Sequence, residues 1–216
     1  MYQTILFDLD GTLTDSGMGI TNAVRYALKE MGYPVPAREE LYKFIGPPLH
    51  DSFQNYYAMD EKTATEAVRQ FRVYYNELGG ILENLVYDGV PEMLERLKKG
   101  GLRLVLATSK PETAAIRVMH HFGLDVFVPE IAGATPDPSR SKKGQVIAYC
   151  LGQFGIDPAT AVMVGDREHD VLGARENGLP CIGITYGYGD RPELENAGAV
   201  AVFDTPAQLA DYLLGE

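Results

Sequence analysis

The order of apolar and polar positions divides the chain into stretches of different character. Residues 4–9 form a short apolar run interrupted by Asp8 and stopped by Asp10-Gly11-Thr12, which predicts a buried strand ending in a turn. From about residue 17 to residue 85 the apolar positions recur at helical spacing, clearest over residues 20–28 and 63–78. Pro34, Pro36, Pro47 and Pro48 divide this stretch and Gly79-Gly80 marks its exit.

Beyond Pro91 the pattern alternates. Helical spacing to about residue 99 is followed by Gly100-Gly101 and the apolar run 102–107. Helical patterns over 111–122, 143–154 and 171–177 then separate extended patterns at 126–132, 161–164, 181–185 and 200–203, and a last helix is expected around 207–214. Strands separated by helices predict an α/β protein: a Rossmann-like parallel sheet core with helices on both faces. The expected division is a core of residues 1–15 and 86–216 and a small helical domain of residues 16–85. In such sheets ligands bind beyond the carboxyl ends of the strands. Asp8 and Asp10, Thr108 and Ser109, and Asp166 each stand at or just past such an end, so residues far apart in sequence can converge on one crevice.

Composition narrows the function classes. The 216 residues are 45% hydrophobic and 23% charged, typical of a folded globular chain. A net charge of -11 disfavours a nucleic-acid groove, which needs clustered Lys and Arg, and favours a small-molecule partner. Cys150 and Cys181 are too few for a disulfide framework. The first residues lack the basic and apolar regions of a signal peptide, and no apolar run is long enough to span a bilayer, so a cytoplasmic protein with no membrane partner is expected.

The stretch Phe7-Asp-Leu-Asp-Gly-Thr-Leu-Thr-Asp15 places two carboxylates at a buried strand end, next to a glycine able to adopt backbone angles closed to other residues. Desolvation and mutual repulsion oppose ionising both acids. A divalent cation removes that cost, and magnesium, which prefers carboxylate and water oxygens beside phosphates, suits the place. The simpler alternative is a strand-end turn with Asp10 bonding local backbone. Likewise Thr108 or Ser109 could cap the following helix, as could Asp166 and Asp170, and Lys142 or Lys143 could be a surface lysine.

Four motifs taken together are more specific. DLDGTLTD, the apolar strand ending Ala-Thr-Ser-Lys110, a lysine before Gly144-Gln-Val-Ile-Ala-Tyr149, and Val162-Met-Val-Gly-Asp-Arg-Glu-His-Asp170 occur in that order across nearly the whole chain. This set resembles the haloacid dehalogenase-like hydrolase superfamily, especially its phosphoglycolate phosphatase-like branch. The resemblance implies that Asp8 is a nucleophile forming an aspartyl-phosphate and that Asp10 protonates the leaving oxygen and then activates water. It further implies that Thr108 and the Ser109 N–H bind phosphoryl oxygens and that Lys143 holds charge together during transfer. Asp8, Asp166 and the backbone carbonyl of Asp10 would bind Mg2+, with Gly11, Gly165 and Asp170 in support. Two departures stand out: many relatives have Asn where Ser109 stands, and the usual KPxP is replaced by Pro136-Asp-Pro-Ser-Arg-Ser-Lys-Lys143.

By the same resemblance the helical domain is a cap that closes over the site, with Gly46, Pro47 and His50 of Phe44-Ile-Gly-Pro-Pro-Leu-His50 as candidate substrate contacts. Tyr56, Tyr57, Phe71, Tyr74 and Tyr75 read as cap core. The expected activity is hydrolysis of a small phosphorylated metabolite such as phosphoglycolate by a monomer or homodimer. Alternatives are a phosphosugar mutase, a nucleotidase or pyrophosphatase, and a catalytically silent binding module. Asp10 argues against a dehalogenase, which has no leaving oxygen to protonate. The missing DKTGT and membrane spans argue against a P-type pump.

Overall fold

The structure is a computed structural model that describes residues 2–135 and 137–216, leaving Met1 and Pro136 of the quoted stretches outside it. In chain order the elements are β1 (Thr4–Phe7), β2 (Thr14–Asp15), α1 (Gly17–Glu30), α2 (Leu49–Tyr57), α3 (Glu61–Arg72), β3 (Leu85–Val86), α4 (Val90–Lys99) and β4 (Arg103–Pro111). They continue as α5 (Glu112–His121), β5 (Glu130–Ala134), α6 (Lys143–Gln153), β6 (Ala161–Gly165), α7 (Glu168–Glu176), β7 (Cys181–Ile184), α8 (Arg191–Ala197), β8 (Ala201–Phe203) and α9 (Pro206–Leu214). The chain forms two compact units, one of residues 1–14 and 86–216 and the other Asp15–Leu85.

The larger unit is built on a six-stranded sheet in the order β5-β4-β1-β6-β7-β8, parallel throughout. All four residues of β1 are buried, as a strand covered on both faces requires. Alternate side chains point to opposite faces. Leu6, Val105, Met163 and Cys181 therefore share one face, where they pack with Val146, Ile147 and Cys150 of α6 and with Val171 and Ala174 of α7.

Register positions the chemistry. Phe7 of β1 pairs with Leu106 of β4 on one side and with Val164 of β6 on the other. The segments that follow these three residues therefore lie side by side toward the carboxyl edge of the sheet.

The smaller unit is helical, with α1 packed against α3. Its core contains Leu41, Phe44, Ile45, Phe53, Phe71 and Tyr75, and the Phe44 and Phe53 rings meet edge-on at 5.1 Å. Of the aromatic residues expected there, Phe71 and Tyr75 are buried. Tyr56 is exposed, with the Lys43 ammonium over its ring at 4.4 Å, so it covers the core from outside. Asp60 caps α3 by accepting from the Thr63 N–H at 2.8 Å. The helical pattern continues past Arg72 as a π-type turn over Val73–Glu77.

Several elements differ from the sequence expectation. The extended pattern at 126–132 is a 3-10 turn at Leu124–Val126 followed by β5, because Gly123 at φ +65° redirects the chain first. Helix α8 lacks a strong apolar stripe and depends on its Asp190 cap, which accepts from the Glu193 N–H at 2.8 Å. Strand β4 runs past residue 107 to Pro111 across a register irregularity.

Candidate active site

The Asp8 N–H donates to the Val164 carbonyl at 3.0 Å, extending the β1–β6 ladder one step beyond Phe7. The chain then turns sharply. Gly11 adopts φ +90°, a conformation costly for other residues, and its N–H donates to the Thr14 carbonyl at 2.8 Å. Thr108 is buried beyond the apolar part of β4, and its hydroxyl oxygen accepts from the Lys110 N–H at 3.2 Å, while Ser109 is half-buried. On the other side β6 ends at Gly165 and delivers a fully buried Asp166.

Lys143, the first residue of α6, joins two of these segments. Its ammonium lies 2.7 Å from Asp8 Oδ1 and 2.8 Å from Asp170 Oδ1, and donates to the Ala107 carbonyl at 3.0 Å. Lys142 is exposed at the helix cap, where the Gln145 side chain accepts from its N–H at 3.0 Å. Of the two candidate lysines, the structure brings Lys143 to the carboxylates. Asp170 also caps α7 by accepting from the Arg167 N–H at 3.1 Å, so helix capping and site support coincide in one residue.

Carboxylate oxygens of Asp8, Asp166 and Asp170 lie within 4.8 Å of one another, and all three residues are buried. Burial first, and then the Asp170 and Asp8 carboxylates, raise the Asp166 carboxyl well above the usual carboxylate range. Burial also raises Asp170; the Lys143 ammonium opposes the shift and Asp8 adds to it. Burial alone would lower Lys143, but Asp170 and Asp8 outweigh it and hold the ammonium charged.

The residues fit a divalent cation. Counting Asp10, four carboxyl groups share this low-dielectric edge with the ammonium groups of Lys143 and Lys110, so ionising all four would leave two uncompensated negative charges for a cation to offset. Apart from their ion pairs, Asp8 Oδ1 and Asp170 Oδ1 accept no hydrogen bond. Asp166 has a 2.8 Å hydrogen bond from the Tyr188 N–H and a long 3.4 Å contact from the Thr12 hydroxyl. The Asp10 carboxylate is not part of the three-residue cluster; both its oxygens accept from Lys110, at 3.0 and 2.9 Å.

Two parts of this edge were not singled out from the sequence. One is Lys110, whose signal is a long cation continuing an apolar strand. The other is the loop after β7, Tyr186-Gly-Tyr-Gly189, whose signal is alternating glycines. A Cβ on Gly187 would lie 2.2 Å from the Gly11 carbonyl oxygen, and one on Gly189 would lie 1.9 Å from the Asp166 carbonyl oxygen. Gly165 is equally constrained, since a Cβ there would lie 2.2 Å from Asp170 Oδ2.

Gly46, Pro47 and His50 belong to the smaller unit. Gly46 has φ +102°, which provides the turn before α2. His50 is partly buried, with Nε2 3.3 Å from Glu61 Oε1 and Nδ1 3.9 Å from Asp51 Oδ1.

The haloacid dehalogenase-like hydrolase family model matches residues 5–184, and the chain belongs to this family. Over 193 residues, 89% of this chain and 87% of the relative, it is 44% identical to a 5'-nucleotidase of Pseudomonas aeruginosa. It is 39% identical to the tyrosine-protein kinase PtkA of Mycobacterium tuberculosis over 93% of this chain and 68% of that protein. It is 31% identical to a phosphoglycolate phosphatase of Haemophilus influenzae over 98% of both. Among solved structures, a predicted phosphatase from Clostridium acetobutylicum matches with a TM-score of 0.96 at 44% identity, covering 100% of both chains.

Proposed function

We propose that the chain is a magnesium-dependent phosphatase of small phosphomonoesters working through an aspartyl-phosphate on Asp8. Family membership and phosphatase relatives make it a phosphoric monoester hydrolase. The observation that carries the mechanistic reading is the buried set Asp8, Asp166 and Asp170, of which Asp8 and Asp170 pair with the Lys143 ammonium.

In this reading an Asp8 oxygen attacks phosphorus while the bond to the leaving oxygen breaks. Asp10 gives its proton to that oxygen, so an alcohol departs. Water then attacks the phosphorus of the aspartyl-phosphate and gives a proton to Asp10, releasing inorganic phosphate and restoring Asp8. Splitting the displacement in two is the gain from a carboxylate nucleophile, and an acid/base group typically contributes about 10²–10⁴-fold. Lys143 balances the charge on Asp8 and on the phosphoryl group. Thr108 and the Ser109 N–H, at the end of β4, would bind phosphoryl oxygens.

Asp8, Asp166 and the Asp10 backbone carbonyl would hold magnesium, while Asp170 holds Lys143 in place. When bound, the ion supplies neutralising charge for the carboxylates and the phosphate. The helical unit would act as the cap, with Gly46, Pro47 and His50 as candidate substrate contacts. The free thiols of Cys150 and Cys181 suit a reducing cytoplasm.

Phosphoglycolate is the substrate the sequence resemblance implies. A nucleoside 5'-monophosphate is a second reading, favoured by the higher identity to the Pseudomonas 5'-nucleotidase. A screen with magnesium covering phosphoglycolate, nucleoside monophosphates, pyrophosphate and sugar phosphates tests both. Phosphate released from any monoester supports the function, and the preferred ester decides the class. Isomerised sugar without phosphate release would indicate a mutase. With a nucleoside triphosphate and a tyrosine-containing protein added, phosphoryl transfer from the triphosphate to tyrosine, releasing the diphosphate, would point to the activity named for the mycobacterial relative. A folded protein inert on the whole panel would leave the silent binding module.

A further inference from the structure

Lys110 is a cation where an apolar strand should end. It is 7% exposed, and its side chain 3%, at the edge of β4 beside β1. An ammonium removed from water costs several kcal/mol unless paired, so its position points to a partner. One partner is Asp10, with Oδ1 3.0 Å and Oδ2 2.9 Å from Nζ.

Asp10 sits in the turn after β1, where its backbone forms only an isolated bridge with Thr14. A side chain on such a turn gains little orientation from regular structure. The ion pair supplies it, because one ammonium engaging both oxygens fixes the carboxylate with a 12% exposed side chain.

We propose that Lys110 is the positioning residue for proton transfer: it aims the Asp10 carboxyl at the leaving-group oxygen. This rests on Asp10 being the acid/base group of the phosphatase reading. The proton passed to the departing oxygen comes from Asp10, and Lys110 keeps its own protons throughout. Its charge also stabilises the Asp10 carboxylate that this transfer creates. Misplacing a reacting group by about 1 Å can cost about 10²-fold in rate.

The leaving group provides the test. An alkoxide must be protonated as it departs, whereas p-nitrophenolate leaves without help. Values of kcat/KM, which report the chemistry through the first displacement, are compared for the best alkyl phosphomonoester of the panel and for p-nitrophenyl phosphate. Lys110→Met should lose about 10²-fold on the alkyl ester and only a few-fold on the aryl ester. Asp10→Asn should show the same skew, and the double variant should be no worse than Asp10→Asn on the alkyl ester. Lys110→Arg, which keeps the charge, should recover part of the alkyl activity.

Equal losses on both esters would mean that Lys110 binds phosphate or supports the fold generally, and would overturn the proposal, as would no loss on either. Should Lys110→Met fail to fold, Lys110→Arg carries the test, with a smaller skew in its favour and an equal loss against it. A folded wild type inert on both esters would sink the phosphatase reading and this inference together. An active wild type whose variants lose both activities equally would sink only the inference.

Discussion

Gly11 and Asp166 meet with no room for a side chain between them: a Cβ on Gly11 would lie 2.2 Å from Asp166 Oδ2. Gly11 also holds φ +90°, which costs a non-glycine residue about 1–3 kcal/mol before any clash. Gly11→Ala should therefore lower the melting temperature and push Asp166 away from Asp8. The expected result is a loss of at least several degrees together with weakened magnesium binding by calorimetry. Wild-type magnesium affinity in this variant would show that the two segments are not coupled.

Under the proposed mechanism, Asp8→Asn removes the nucleophile and one negative charge from a crowded edge. Turnover should fall at least about 10³-fold, while the Lys143 ammonium keeps its 2.8 Å pair with Asp170 and the fold survives. Phosphate release and circular dichroism measured on one preparation check both halves. Retained turnover would remove Asp8 from the mechanism.

Lys143→Met should damage stability as well as rate. It leaves Asp8 and Asp170 without their shared ammonium, and breaking a buried pair from one side typically costs about 3–5 kcal/mol. Lys143→Arg should not restore the wild type, since the ammonium occupies a site where it meets two carboxylates and the Ala107 carbonyl. Urea unfolding with magnesium present measures the loss. Stability within about 0.5 kcal/mol of wild type would contradict the account, being the scatter of an ordinary surface substitution.

Asp166 gives the metal-free protein a pH dependence of known sign. Its folded carboxyl holds a proton more tightly than the unfolded one, whose reference value is 3.8. The contribution to stability is therefore fully present below that value and is lost as pH rises through the raised folded value. Asp166→Asn lacks this dependence. In chelator, the variant should gain on wild type as pH rises from about 4 toward 8, with a slope of at most about 1.4 kcal/mol per pH step of one. A flat difference would contradict the cause assigned to the raised carboxyl.

Magnesium should reverse that ranking. At about 100 times its dissociation constant a ligand adds about 2.7 kcal/mol, or roughly 5–11 °C for a chain of this size. Wild type should gain this and Asp166→Asn much less, as read by thermal melts with and without the ion.

The core was legible because burial on both faces leaves continuous apolar runs: β1, β4, β6 and β7 all lie where those runs occur. The approach of Asp8 and Asp166 was also legible, since strand-end acids can be read once the sheet is parallel; Lys143 and Asp170 came from the resemblance, and Asp170 rather than the Asp10 carboxylate completes the buried cluster. Lys110 was not, because nothing in a sequence shows which cation a strand-end bulge turns inward. The Gly187 and Gly189 contacts were hidden for a related reason: close approach between loops belongs to tertiary packing and leaves no periodic trace. Helix α8 has seven residues and owes its start to an aspartate cap, too short a stretch for periodicity to establish.

The placement of β1 between β4 and β6 has a consequence for folding. Asp8 follows the first strand and Asp166 follows β6, so the two become neighbours only when β6 has docked beside β1. A partly folded chain in which β6 has not docked therefore carries Asp8 without Asp166 beside it. Completion of the acidic set thus waits on a parallel pairing between two strands far apart in sequence.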